Sequence, residues 1–460
     1  MGMRNDKTIA LLTLGCKLNY AETSTYARGF EKAGLRLVPW SEGADIYLVN
    51  SCSVTATSDA KSRNLVRKVL RINPSAIVVV TGCSAQLRRS EYEAIPGVAR
   101  VFGSDEKSSV VPETLTLAGI VPILGVQGNR SNAAASERSD RGGVGGTLPR
   151  PLGVQGDNSN VAEQRSDATI FPAWSSGERT RSFLKVQDGC DNYCAYCTVP
   201  YARGASRSVP ISECVASARR IASLGVKEIV LTGVNTGDFG KNTGESFLDL
   251  LKALEDVDGI ERYRISSIEP NLLTEEIIDW IAGGTKFQPH FHIPLQTGTD
   301  ELLHKMGRRY DTELFASRIE YVRRAMEGPG KCPVFFGIDV MVGLPGETPE
   351  LFERTCEFLA SRVHPAFIHV FPYSRRPGTP AASMPGQVGE EEKKRRVAVL
   401  EELSTRLHYE FVASNRGLRA RVLFESTDRK GFMEGYTGNY FRVSRPYDAA
   451  LCGQIVEVTI

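Results

Sequence analysis

No run in this chain approaches the roughly 18 consecutive apolar residues of a membrane-spanning helix. The opening Met1-Gly-Met-Arg-Asn-Asp-Lys-Thr-Ile-Ala-Leu-Leu is too short in its apolar part for a secretory leader. Neither sign of charge predominates, since 56 lysines and arginines against 54 acidic residues leave a formal +2. That balance argues against wrapping nucleic acid by bulk charge but leaves room for a local basic stripe. Histidine is scarce, at six residues, which leaves few partners for a zinc site. These absences predict a cytoplasmic protein without a membrane partner, in a compartment that keeps thiols reduced. The ten cysteines must then be core residues, metal ligands or reactive thiols. Cys214, Cys332, Cys356 and Cys452 stand alone and read as small buried hydrophobes.

At 460 residues, 41% apolar and 24% charged, the chain is long enough for two or three globular domains. Up to about residue 118, apolar runs at Ile9–Leu14, Ile46–Val49, Ile77–Val80 and Val98–Phe102 alternate with helical stretches near Ala21–Ala33 and Asp59–Leu70. This predicts an open, doubly wound α/β domain over 1–118. Residues 119–175 are rich in Gly, Ser, Asn and Arg, and Gly125-Val-Gln-Gly-Asn-Arg-Ser-Asn recurs imperfectly as Gly153-Val-Gln-Gly-Asp-Asn-Ser-Asn. Two copies cannot stack into a solenoid, and the composition predicts a flexible insertion or linker. Six further strands are expected at Ser182–Gln187, Glu228–Thr232, Arg262–Ser267, His290–Pro294, Phe335–Val342 and Phe367–Phe371. They suggest a partial (β/α)6 barrel over 176–405. After a charged helix at Glu390–Val412, four short strand patterns over 406–460 predict a small antiparallel β-barrel of a kind used on nucleic acid.

The sharpest motif is Cys190-Asp-Asn-Tyr-Cys194-Ala-Tyr-Cys197, directly after the first barrel strand. Three thiolates this close can hold three corners of a 4Fe-4S cube and leave its fourth iron open. Structural zinc would want a fourth Cys or His at a second knuckle, and no histidine lies nearby. Cys16, Cys52 and Cys83 each follow an apolar run by one to three residues. All three therefore fall at the carboxyl ends of parallel strands, the crevice where open α/β sheets bind ligands. A second open-site cluster is the physical reading. His290-Phe-His292 could suggest a metal pair, but alternate strand residues equally make a packed wall, and it is read as structural.

The Cys190 spacing, with Tyr196 before its last cysteine, resembles the radical S-adenosylmethionine (SAM) superfamily. The order of cluster domain, radical barrel and terminal β-domain resembles the methylthiotransferases across nearly the whole chain except the insertion. The resemblance implies two 4Fe-4S clusters, on Cys16, Cys52 and Cys83 and on Cys190, Cys194 and Cys197. The second would bind SAM and yield a 5′-deoxyadenosyl radical, and the first would handle sulfur, with two SAM molecules used. It implies a TRAM-like RNA-binding terminal domain, and as partners a tRNA anticodon stem-loop, a flavodoxin- or ferredoxin-like electron donor and a sulfur donor, with the chain a monomer. Thr13-Leu-Gly-Cys-Lys-Leu-Asn, Val186-Gln-Asp-Gly-Cys, Tyr201-Ala-Arg-Gly, Arg264-Ile-Ser-Ser-Ile-Glu-Pro and Gly435-Tyr-Thr-Gly-Asn-Tyr look like the branch acting on N6-threonylcarbamoyladenosine beside the anticodon. Val234-Asn-Thr departs from that branch's Ile-His-Thr. The isopentenyladenosine and ribosomal-protein branches remain alternatives, as does a non-catalytic iron–sulfur RNA-binding protein.

By the same resemblance, Tyr196, Gly233, Asn235, Glu269, Gln296, Thr297, Gly343, Pro345 and Phe371 lie where SAM is contacted. The plain alternative for each is a strand-end turn. Arg63, Arg67 and Arg71 share a helix face, either a solvated basic surface or a phosphate contact. Arg421 and Arg442, among Phe, Tyr and Gly near the C-terminus, suit an anticodon loop through charge and stacking.

Overall fold

The computed structural model describes residues 6–120, 170–177 and 179–460. Strands β1 (Thr8–Thr13), β2 (Arg36–Leu37), β3 (Ile46–Ser51), β4 (Ile77–Gly82) and β5 (Val98–Val101) form one parallel sheet in the order β2-β1-β3-β4-β5. The continuous apolar runs that mark β3 and β4 follow from burial on both faces. On one side helix Lys17–Lys32 contributes Tyr26 and Phe30 to a core with Ile46, Leu48 and Val79. On the other, helix Ala56–Ile72 packs Val66 and Val69 against Tyr47, Val49 and Val78. The edge strand β2 went unseen in the sequence because its two residues, Arg36 and Leu37, are both exposed.

Strands β6 (Arg181–Lys185), β7 (Gln187–Asp188) and β8 (Arg207–Ser208) come next, then β9 (Glu228–Thr232), β10 (Arg262–Ile265), β11 (His290–Gln296), β12 (Phe335–Val342) and β13 (Phe367–Pro372). Two three-stranded parallel sheets, β6-β9-β10 and β11-β12-β13, are joined through the parallel bridges Tyr263↔Phe287 and Ser267↔His292. The six strands thus run β6-β9-β10-β11-β12-β13, and they curl enough for Arg181 on β6 to act electrostatically on His290 of β11. Ile229, Leu231, Ile293, Ile338, Val340 and Ile368 point outward into one large core beneath the helices. The short hairpin β7/β8 was absent from the sequence reading and clamps the base of the Cys190 loop.

Helix Glu390–Asn415 runs unbroken through residues 405 and 406, because Leu400, Leu407 and Phe411 bury along one of its faces. Strands β14 (Arg419–Phe424), β15 (Phe432–Thr437), β16 (Arg442–Pro446) and β17 (Ile455–Thr459) then form an antiparallel sheet ordered β16-β15-β14-β17. Where the sequence predicted a barrel, this sheet leaves β16 and β17 as its edges, unpaired with each other.

The imperfect repeat of 119–175 lies outside the described residues. The end of that segment is not a free linker. Phe171 stacks on Tyr26 with ring centroids 5.2 Å apart, and Trp174 lies 3.5 Å from the Arg28 guanidinium and bridges to Leu184 of β6. Two large aromatics give these last residues enough apolar surface to dock. Among the described residues, no helix is long and apolar enough to cross a membrane.

Candidate active site

The N-terminal sheet closes the open side of the barrel, gripping both edge strands. At the β6 edge, Glu22 Oε1 accepts from Lys107 Nζ at 2.7 Å, Lys185 Nζ at 2.8 Å and Arg203 Nη1 at 3.3 Å. Asp188 pairs with the same three cations, at 3.2, 2.6 and 2.8 Å. At the β13 edge, Asp59 accepts from Arg376, and Ser374 Oγ accepts from the Ala56 N–H at 3.2 Å. The cations hold the Glu22 carboxyl at about 2, against burial that alone would raise it. Such buried pairs tolerate little displacement, because freeing one partner strands a charge in low dielectric.

This docking brings two sets of three cysteines to the interface between sheet and barrel. Cys16 follows β1 and stands at the N-cap of helix Lys17–Lys32. Cys52 directly follows β3, and Cys83 directly follows β4. Gly15, at φ +103°, passes so close to Cys52 that an added Cβ would stand 2.7 Å from its sulfur. Burial, and secondarily the neighbouring thiols Cys83 and Cys16, push the Cys52 thiol up to about 11. Cys190, Cys194 and Cys197 likewise act on one another, and burial raises Cys190 to about 12 and Cys197 to about 11. Helix Val199–Arg203, which follows Cys197, packs on helix Cys83–Leu87, and Arg203 Nη2 donates to Asn19 Oδ1 at 2.5 Å beside Cys16, so the two sets face each other. Two three-thiol sets, paired in no disulfide, suit clusters that each keep one iron open. Metal binding would displace the thiol protons.

Around the second set, Arg308 Nη1 donates to Cys194 Sγ at 3.2 Å and to the Tyr196 hydroxyl at 3.4 Å. Its Nη2 donates to Glu269 Oε1 at 2.7 Å, and Glu269 also accepts from Asn192 Nδ2 at 2.9 Å. Asn235 Oδ1 in turn accepts from the Glu269 N–H at 3.2 Å. Tyr196, Asn235 and Glu269 thus belong to one polar frame under the loop. Gly233 is confined by Gln187, whose Oε1 accepts from the N–H groups of Val234 at 2.8 Å and Asn235 at 3.0 Å. Gln296 sits at a bulge with φ +72°, and Phe371 is 42% exposed at the end of β13.

Two expected cofactor contacts are engaged elsewhere. Thr297 is fully buried with its hydroxyl on Thr299 and Thr355. Gly343 lies against the stem of Lys393, and its N–H donates to Glu347. Of the basic residues, Arg63 pairs with Glu91 at 3.2 Å and is only 22% exposed, whereas Arg67 and Arg71 are exposed. Arg421 bonds Glu261, and Arg442 bonds Glu434 at 3.2 Å. His290 is half-buried, stacked on Phe335 with centroids 5.1 Å apart. His292 differs: its Nε2 lies 2.6 Å from Asp339 Oδ1 in the barrel lumen. Gln187, Arg203, Arg308 and Glu22 were not singled out from the sequence. Gln187 and Arg203 stood inside quoted motifs without a role; Glu22 and Arg308 are ordinary charged residues whose partners lie far along the chain.

Comparison with known proteins agrees with this geometry. The profile described as Radical SAM superfamily matches residues 184–359, and that of Uncharacterized protein family UPF0004 matches residues 8–103. The threonylcarbamoyladenosine tRNA methylthiotransferase MtaB of Bacillus subtilis is 36% identical, covering 98% of this chain and 93% of its own length. The chain belongs to the radical SAM tRNA methylthiotransferases. The MtaB of Thermotoga maritima is 35% identical, over 95% of this chain and 91% of its own length. A tRNA-2-methylthio-N(6)-dimethylallyladenosine synthase of Pelotomaculum thermopropionicum is 31% identical over 99% of this chain and 95% of its own. In fold, this methylthiotransferase resembles the radical SAM methyltransferase TsrM of Kitasatospora setae, solved with cobalamin and a [4Fe-4S] cluster bound. The TM-score is 0.53 at 16% identity, covering 82% of this chain and 74% of that one. As a member of its family, the enzyme uses SAM with a 4Fe-4S cluster and carries an additional cluster.

Proposed function

We propose that this enzyme places a methylthio group on C2 of N6-threonylcarbamoyladenosine at position 37 of tRNA, next to the anticodon, using two molecules of SAM. The observation that carries the reading is the facing pair of three-cysteine sets, the helix that begins at Cys83 packing on the helix that follows Cys197. Cys16, Cys52 and Cys83 hold the sulfur-handling cluster, and Cys190, Cys194 and Cys197 hold the one that binds SAM. When bound, these groups supply a transferable sulfur and a 5′-deoxyadenosyl radical for a C–H bond that no side-chain base could deprotonate.

The chain's own residues position and exclude. Arg308 and Glu269 fix the Cys190 loop, while Gln187 orders the turn after β9 beside it. Asn235 and Phe371 border the SAM site. The Glu22 and Asp59 pairs keep the two cysteine sets in register and keep water from the interface between them. Residues 406–460 act as a TRAM-like RNA-binding unit, with Arg442 on an exposed strand and Arg67 and Arg71 as further phosphate contacts. An external electron donor and sulfur donor are required, and the chain works as a monomer in the cytoplasm.

The threonylcarbamoyl branch is supported by the motifs around Cys16, Cys190 and Arg264, and by relatives of that name at 36% and 35% identity. Nucleoside mass analysis of tRNA from cells with and without this gene tests the reading. Loss of the 2-methylthio form of N6-threonylcarbamoyladenosine is expected. Loss of the 2-methylthio dimethylallyl form instead would move the enzyme to the other branch, and unchanged tRNA would overturn the assignment.

A further inference from the structure

Below the strand ends, the barrel lumen holds a polar cluster that neither cysteine set uses. On β11, Phe291, Ile293 and Leu295 go outward into the core, so His292 faces inward. On β12, Ile338 and Val340 go outward and Asp339 faces inward; on β13, Ile368 goes outward and His369 inward. Asp339 pairs in register with His369, and the two imidazoles lie with centroids 5.0 Å apart. His292 and Asp339 keep 23% and 19% of their side chains exposed, so solvent reaches this depth of the lumen. Gly337 lets the His369 ring lie close, since an added Cβ would stand 3.3 Å from Phe335 and 3.6 Å from His369 Nε2. Lys17, the exposed first residue of the helix that follows Cys16, comes from the N-terminal sheet side and lies within electrostatic reach of Asp339, Arg181 and Arg264.

The charges decide what such a cup can hold. Two histidines and a carboxylate are metal-ligating types, and their ligand atoms lie within 4.8 Å of one another. Yet four cations face this lumen and its floor, Lys17, Arg181, Arg262 and Arg264, against three carboxylates, Glu228, Asp339 and Glu425. One positive charge is left over, which disfavours a divalent ion and favours an anion. Asp339 and the imidazoles add hydrogen-bond acceptors and donors within reach of the same point.

We infer that Lys17, His292, Asp339 and His369 form the subsite for the N6-substituent of the target adenosine, a hydrophilic group bearing a carboxylate. Lys17 takes the carboxylate, while His292, Asp339 and His369 bond the substituent's hydroxyl and amide-type N–H groups. This rests on the threonylcarbamoyl reading above and deepens it: the cup is what makes that substituent acceptable and an apolar one costly. An apolar substituent here would leave buried polar groups without partners.

The test is equilibrium binding to cluster-reconstituted enzyme of three anticodon stem-loops of one sequence. They carry at position 37 N6-threonylcarbamoyladenosine, plain adenosine or N6-dimethylallyladenosine. Wild type is expected to prefer the first by about tenfold or more, the size of one lost hydrogen bond to a charged group. Asp339→Asn and His369→Gln, both close in shape to the native residues, should reduce that preference to about threefold or less. Iron content of each variant, measured on the same samples, controls for folding. Equal binding of the three stem-loops by wild type, or an unchanged preference in both variants, overturns the subsite even if nucleoside analysis upholds the function. A stoichiometric non-iron divalent metal in wild type that His369→Gln loses would make the cup a metal site and overturn it equally. Should nucleoside analysis yield the dimethylallyl product, the function and the subsite fall together.

Discussion

At the scale of single residues, the cysteine sets depend on neighbours that are themselves chemically inert. Gly15 is required twice over, by its φ of +103° and by the 2.7 Å that would separate a Cβ from Cys52 Sγ. Gly189, before Cys190, is at φ +75°, and a Cβ there would meet the Ala205 carbonyl oxygen. Gly15→Ala should therefore displace Cys52 and lower iron in the reconstituted enzyme from about eight to about four atoms per chain. Cleavage of SAM should persist in that variant, because the Cys190 loop is untouched, while methylthiolated tRNA is lost. Arg308 is a positioning residue of a different kind, bridging Cys194 and Glu269 at 3.2 and 2.7 Å. Removing an outer partner of a metal ligand typically costs 10–100-fold. Arg308→Met should slow reductive cleavage of SAM by about that factor and shift the spectroscopic signature of the reduced cluster. Arg308→Lys, which keeps the charge but not the fork, should recover only part of the rate.

At the scale of elements, strands were legible in the sequence where they are buried on both faces. Glu228–Thr232 and Phe335–Val342 stand as read, and Ile46–Val49 and Ile77–Val80 gain only two residues each at their carboxyl ends. The cysteines were legible as strand-end residues for the same reason, since apolar runs locate the ends. What joins the elements was not legible. The Glu22 network draws on Lys107, Lys185, Asp188 and Arg203 from separated stretches of chain, and no local pattern announces such a convergence. Three cations meet two carboxylates there, and Arg203 also acts on Cys83 and Cys16, so the surplus positive charge faces the first thiol set. The members of the network should not be equivalent. In Lys185→Met both carboxylates keep Lys107 and Arg203, whereas Arg203→Met also strips Asn19 of its donor. Arg203→Met should cost about 3–5 kcal/mol in denaturant unfolding, as breaking a buried pair does. Lys185→Met should cost less than half of that, and equal losses would show that the surplus cation is not surplus.

At the scale of the whole molecule, the terminal sheet forms the floor of the barrel as well as an exposed surface. Arg262 donates to the carbonyls of Tyr436 and Arg421, and Arg264 donates to those of Thr437 and Gly438. Tyr440 closes the same floor, 4.9 Å from the ring of His290. The Nδ1 of His290 is buried without a hydrogen-bond partner, and its neighbours Arg264, Lys17, His292 and Arg181 bear or can bear positive charge. Burial first, then those charges, hold its pKa well below 6.5. Between that depressed value and 6.5 the unfolded chain binds a proton that the folded chain refuses, so stability rises with pH there. The stabilisation is complete above about pH 6.5 and is lost as pH falls towards the folded value, by up to about 1.4 kcal/mol per unit. Barrel and terminal sheet should accordingly loosen together as pH falls below about 6.5. Protection of the Tyr436–Tyr440 amides in hydrogen exchange should fall in step with the unfolding midpoint. His290→Phe keeps a ring against Phe335 and Tyr440 and cannot be protonated, so it should flatten that dependence. If the variant keeps the full pH slope, His290 is not the group that ties docking of the terminal sheet to pH.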